Sequence, residues 1–83
     1  MTHTIEDVQQ SAIEIGADIR RARTLAGMTQ RQLAERIGMR QPAITRIEKG
    51  IHVPTWVTLD RIADALGMRL RVELTGTPHT GDQ

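Results

Sequence analysis

The chain has 83 residues, room for one small domain with a single core that buries only about 60% of the unfolded surface. Apolar residues make up 39% of it and charged residues 25%, with a net charge of +1, and no apolar run approaches the ~18 residues of a membrane span, so membrane and fibrous classes are excluded. With no cysteine there is no disulfide scaffold, thiolate nucleophile or cysteine-type zinc site, and with Trp56 the sole aromatic there is no platform on which to stack single-stranded bases.

Residues 1–4 show no signal-peptide pattern, so the expected compartment is a reducing cytoplasm. From there Ile5, Val8, Ala12, Ile15, Ile19, Ala22 and Ala26 recur at alternating spacings of three and four, which keeps one stripe of a helix apolar. Thr4 is a suitable N-cap and Gly27 a suitable stop, while Gly16 leaves one helix or two open. Thr29 with Gln32 fits a capping box, and Leu33, Ala34 and Ile37 give the helix behind it an apolar face that ends at Gly38. A third helix begins near Arg40 or Gln41, tolerates Pro42 in its first turn, turns Ala43, Ile44 and Ile47 inward and ends at Gly50. Thr55 caps a fourth, with Leu59, Ile62, Ala63 and Leu66 as its stripe and Gly67 after it. From Met68 to Leu74 the period drops to two, with Met68, Leu70, Val72 and Leu74 on one face of a strand. A lone strand needs a partner, and the simplest is its own copy across a twofold axis. The tail, residues 75–83, has no apolar residue and is expected to be disordered.

The near-neutral charge is an average over unlike segments. Residues 1–19 carry Glu6, Asp7, Glu14 and Asp18 and no cation, a balance of −4. Residues 20–49 carry Arg20, Arg21, Arg23, Arg31, Arg36, Arg40, Arg46 and Lys49 against Glu35 and Glu48, a balance of +6. A surface for a polyanion belongs in this second stretch.

Two short helices joined by about three residues form the unit that places its second helix in the DNA major groove. In the twenty-residue window from Gln30 to Lys49, Ala34 is fifth, Gly38 ninth and Ile44 fifteenth, with Leu33, Ile37, Met39 and Ile47 in the other apolar places. Ala34 is small where the helices meet, Gly38 can adopt positive φ, and Ile44 and Ile47 hold the second helix to the core. On these residues, together with Pro54-Thr55, the chain resembles the Cro/C1 (XRE) family over about residues 16–67. The resemblance implies an all-α, lambda repressor-like bundle of four to five helices that binds operator DNA as a dimer, here with one added C-terminal β-strand. The size and the terminal strand further resemble the HigA and HipB antitoxins. The expected organisation is an amphipathic helical extension over 1–15, a helix-turn-helix domain over 16–67, a dimerisation strand over 68–74 and the tail.

On the third helix the outward positions are Arg40, Gln41, Pro42, Thr45, Arg46 and Lys49. Arg40 can pair bidentately with guanine, Gln41 with adenine, and Thr45 can meet a thymine methyl or accept a hydrogen bond; Arg46, one turn on, can read a base or hold a phosphate. Pro42 stands where many members of the family carry a polar base-reading residue, and serves the first turn or touches a methyl group. Thr29, Gln30 and the amides at the start of the second helix match the family's phosphate clamp, extended by Arg31, Lys49, His52 and Thr55. Arg20, Arg21 and Arg23 are either solvated or screen the DNA backbone, and Trp56 is a core or dimer-interface anchor. Ile5, Val8, Ala12 and Ile15 extend the first stripe beyond what the family needs, which reads as core packing or as a docking face for a partner protein or a second subunit. His3, His52 and His79 are scattered, so no metal site, cofactor or catalytic constellation is expected. The leading functional expectation is a sequence-specific repressor, implied by the second resemblance to be the antitoxin of a type II toxin-antitoxin operon that autoregulates and neutralises a toxin. The alternative is a stand-alone regulator of the same family.

Overall fold

The structure, a computed structural model, describes the backbone of residues 5–70 and the side chains of residues 11–70. Thr4, Val72, Leu74, the tail 75–83 and the side chains of Ile5 and Val8 lie outside the described residues. Four helices follow in order: α1 (Ile5–Leu25), α2 (Gln30–Ile37), α3 (Gln41–Glu48) and α4 (Trp56–Ala65). α2 packs on α3 and α4, and α1 packs on α3.

The capping signals operate as the sequence suggests. Thr29 Oγ1 accepts the Gln32 N–H at 3.0 Å and Gln32 Oε1 accepts the Thr29 N–H at 2.8 Å, so both halves of the capping box close. Gly38 ends α2 at φ 72°, ψ 33°, and the Met39 N–H returns to the Ala34 carbonyl at 2.9 Å, a Schellman closure that folds half-buried Met39 onto the core. Any residue with a Cβ is strained at that φ, which is why glycine stands in the turn. Three residues, Gly38 to Arg40, then separate α2 from α3, with Pro42 in the first turn of α3. Thr55 caps α4 by accepting the Thr58 N–H at 3.2 Å.

The question left by Gly16 resolves as one helix. A Cβ there would stand 2.8 Å from the Glu48 carbonyl oxygen and closer still to that of Ile47, so Gly16 is the point where α1 crosses the end of α3. Packing, not a helix break, accounts for the residue.

Leu33, Ile44, Ile47 and Ile62 are almost wholly buried, joined by Ile19, Ala34, Ile37 and Leu59. At roughly 1.5–3 kcal/mol for each fully buried aliphatic side chain, those four dominate the cohesion of the core. Of the inward places of the helix-turn-helix window, Leu33, Ala34, Ile37, Ile44 and Ile47 lie in the core, Met39 packs half-buried against it, and Ala43 is half-buried. Two expectations are not met among the described residues. Trp56 is 61% exposed and no part of the monomer core. It opens α4, and Val53 in the preceding turn and Val57 beside it in the helix are also exposed. The expected strand has no counterpart among the described residues: Met68 to Leu70 are irregular, and the rest of that segment lies outside them. No helix among the described residues is long and apolar enough to cross a membrane.

Candidate nucleic-acid interface

With Ile44 and Ile47 buried, the geometry of α3 sends Arg40, Gln41, Pro42, Arg46 and Lys49 to the surface and leaves Thr45 half-buried between them. Gln41, Pro42, Thr45, Arg46, Lys49 and Ile51 line one shallow hollow. Arg40 is the N-cap of α3, in extended backbone at φ −89° and ψ 148°, and makes no capping bond through its side chain, so its guanidinium is available to a ligand. No ion pair is described for Arg40, Arg46 or Lys49, in contrast to the neighbouring cations. Arg21 pairs with Asp18 at 3.0 Å and Arg31 with Glu35 at 3.6 Å, both on open surface where such pairs contribute only about 0–1 kcal/mol.

Neither α2 nor α3 carries an acidic residue in its first turn, so the positive end of each helix dipole is uncompensated. Thr29, Gln30 and Arg31 stand at the first of these ends, in reach of an anion drawn to its free amides. His52 and Thr55 are exposed further along, in the turn between α3 and α4 and at its end. The Thr55 hydroxyl is already engaged with Thr58, taking its N–H and bonding its Oγ1 at 3.1 Å.

Beneath this surface lies a polar network that joins α1, α2 and α3. Arg23 on α1 donates from Nε to Glu48 Oε2 at 2.6 Å, from Nη2 to Glu48 Oε1 at 3.0 Å and from Nη1 to the Met28 carbonyl at 2.7 Å. The two side chains are 12% and 2% exposed. The hydrogen bond to Glu48 raises the Arg23 pKa above its already high ordinary value, against the opposing effect of burial. Gln30 donates from Nε2 to Glu48 Oε1 at 3.1 Å, and Thr45 Oγ1 donates to Gln30 Oε1 at 2.8 Å. A buried ion pair thus reaches, through one amide, a hydroxyl on the outer edge of α3. Arg23 is therefore neither solvated nor a screen for the DNA backbone. The signal that would have located Glu48 is its spacing: Ile44, Ile47 and Glu48 fall on one helical face, which puts a carboxylate among apolar neighbours.

A second feature sits between α1, α4 and the segment after α4. It is a groove of about 440 Å³ lined mainly by Ile15, Ile19, Trp56, Leu59, Met68 and Leu70. Ile15, Met68 and Leu70, separated in the sequence reading between partner docking and dimerisation, are brought together here, whereas Ala12 is buried at 5% exposure.

A short helix, a glycine turn and a second helix with an exposed polar edge define a helix-turn-helix protein. The chain belongs to the helix-turn-helix domain family, whose model matches residues 14–75. It is 45% identical over 49 residues to an uncharacterized HTH-type transcriptional regulator of Methanothermobacter thermautotrophicus, covering 59% of this chain and 71% of that one. It spans less than half the length of other curated relatives that it matches. Among solved structures, the restriction-modification controller protein C.AhdI of Aeromonas hydrophila superposes with a TM-score of 0.73 at 25% identity, covering 76% of this chain and 91% of that one. The clp gene regulator ClgR of C. glutamicum superposes with a TM-score of 0.69 at 25% identity, covering 76% and 77%. The fold is therefore that of XRE-like helix-turn-helix regulators, and the relatives include proteins named as HTH-type transcriptional regulators.

Proposed function

We propose that the chain is a sequence-specific transcriptional repressor that binds a palindromic operator as a homodimer, with α3 of each copy in the major groove. The observation that carries this reading is the exposed edge of α3, where Gln41, Thr45 and Arg46 share one hollow and Arg40, the N-cap residue of the helix, makes no capping bond with its side chain. Side chains at the start of such a helix reach furthest towards base edges. Arg40, Gln41, Pro42, Thr45 and Arg46 are the base readers, while Thr29, Gln30, Arg31, Lys49 and His52 hold phosphates, joined by Thr55 only where its hydroxyl turns away from Thr58. Gln30 keeps one amide proton for that purpose after its bond to Glu48. The apolar groove supports a dimer interface in which Met68 and Leu70 take part, continued in sequence by Val72 and Leu74.

Stand-alone regulation is the reading preferred over a toxin-antitoxin role, because several relatives are named as transcriptional regulators and Ala12, one of the four docking candidates for a toxin, is buried. Selection from a library of random duplexes followed by gel-shift titration tests the assignment. Arg40→Ala, Gln41→Ala and Arg46→Ala are each expected to weaken binding by about 1–3 kcal/mol and relax the preference at one position of the half-site. An unchanged sequence preference in all three variants would rule it out.

A further inference from the structure

We infer that Thr45 reads its base as a hydrogen-bond acceptor only, because Arg23 and Glu48 fix the direction of hydrogen bonding through Gln30. The inference rests on the operator-binding reading and adds to it a rule for one base position.

The argument begins with the carboxylate. Glu48 Oε1 and Oε2 face three N–H donors, two from Arg23 and one from Gln30, so both oxygens act as acceptors. An arginine keeps its proton in proteins, so the donors on the α1 side cannot reverse their role. Gln30 must therefore turn its NH₂ group towards Glu48, because the opposite orientation would press its carbonyl oxygen against a carboxylate. The amide is rigid, so its Oε1 then faces Thr45 at 2.8 Å. That oxygen has no proton to give, and the hydroxyl must donate. The second neighbour of Thr45 Oγ1, the Gln41 carbonyl oxygen at 3.2 Å, is also a pure acceptor. Whichever of the two receives it, the single hydroxyl proton is used inside the protein.

What remains at Thr45 is a lone pair and the methyl group, on a half-buried side chain at the edge of the hollow. In the major groove adenine N6 and cytosine N4 are donors, whereas guanine presents O6 and N7 and thymine presents O4, all acceptors. An unconstrained threonine can rotate its hydroxyl to serve either kind of base. Here the rotation is locked from below, and the hydroxyl complements adenine or cytosine and opposes guanine. Glu48, Arg23 and Gln30 are thus positioning residues: the first two need not touch DNA to set what Thr45 accepts.

The test is selection by the full-length protein from duplexes with about 20 randomised base pairs, carried out with wild type, Thr45→Val, Thr45→Ser and Glu48→Gln. The position whose preference differs between wild type and Thr45→Val is the one Thr45 reads. At that base pair, duplexes whose exocyclic amino group is removed on one strand (purine for adenine, or 2-pyrimidinone for cytosine) are expected to bind wild type and Thr45→Ser about tenfold more weakly than the selected sequence, and to bind Thr45→Val, shown to be folded by circular dichroism, no more weakly. In Glu48→Gln the facing amides can pair in either direction, and the preference should narrow. Should Glu48→Gln fail to fold, the valine and serine variants still decide the polarity. Unchanged wild-type binding when the amino group is removed, an equal loss in Thr45→Val, or no position that differs between the two would overturn the inference while leaving operator binding intact. A full preference in folded Glu48→Gln would remove the positioning role of Glu48. Failure of wild type to enrich any sequence would overturn the operator-binding reading itself, and this inference with it.

Discussion

Glu48 is the residue on which the polar side of the fold turns. Its side chain is 2% exposed at the end of α3, and the guanidinium that satisfies it comes from α1, 25 residues earlier. Removing one partner of such a pair leaves an uncompensated buried charge, which costs about 3–5 kcal/mol, whereas replacing both by apolar side chains of similar volume is often neutral. Glu48→Ala should therefore lower unfolding stability by about 3–5 kcal/mol in a denaturant titration, and Arg23→Met with Glu48→Leu should recover most of it. A single variant within about 0.5 kcal/mol of wild type would show that the pair contributes little. The pKa of Arg23 is raised in the fold, so the stability linked to it is complete below the unfolded value and is lost only as pH rises through the higher folded one. Its contribution should accordingly stay level across neutral pH. A charge balance treats Arg23 and Glu48 as two surface charges among many, and only the helical spacing of Glu48 from Ile44 distinguishes it. The identity of its partner depends on how α1 crosses α3, which a one-dimensional pattern does not contain.

The helices themselves were largely legible, because each is bounded by a local device that depends only on neighbouring residues. The Thr29–Gln32 box, the left-handed Gly38 and the Thr55 cap all work within a few residues of chain. Gly16 differs, since glycine inside a helical pattern has the same local signature whether it breaks the helix or admits a neighbour. The deciding contacts are carbonyl oxygens from the end of α3. They also make the substitution informative. Alanine is the better helix former by about 0.8–1 kcal/mol, so an isolated α1 would gain from Gly16→Ala. In the folded protein the new methyl group meets backbone that cannot rotate away, and overpacking of this kind costs about 1–3 kcal/mol. The second effect should win, lowering the melting temperature in a calorimetric scan by about 4–8 °C for each kcal/mol by which it exceeds the first. A higher melting temperature would mean that α1 and α3 can move apart at little cost.

At the scale of the whole molecule, the distribution of charge matters more than its sum. The acidic balance of residues 1–19 adjoins a window of +6, and within that window several cations are already engaged: Arg23 with Glu48, Arg21 with Asp18 and Arg31 with Glu35. Arg40, Arg46 and Lys49, on the α3 edge, remain to meet phosphate or bases, which is how a protein of net charge +1 can present a locally basic face. Each phosphate neutralised on duplex DNA contributes about 0.9 to the slope of log affinity against log salt concentration. Replacing Lys49, assigned to a phosphate, with alanine should weaken binding uniformly across sequences and reduce that slope by about 0.9 for each copy of the chain on the DNA. A homodimer on its palindrome therefore predicts a reduction of about 1.8, and a monomer about half of that. The same titration series thus counts copies as well as contacts. A reduction near 0.9 at a site whose selected sequence is palindromic would place one of the two Lys49 side chains away from the backbone, and a reduction near zero would remove Lys49 from the phosphate contacts altogether.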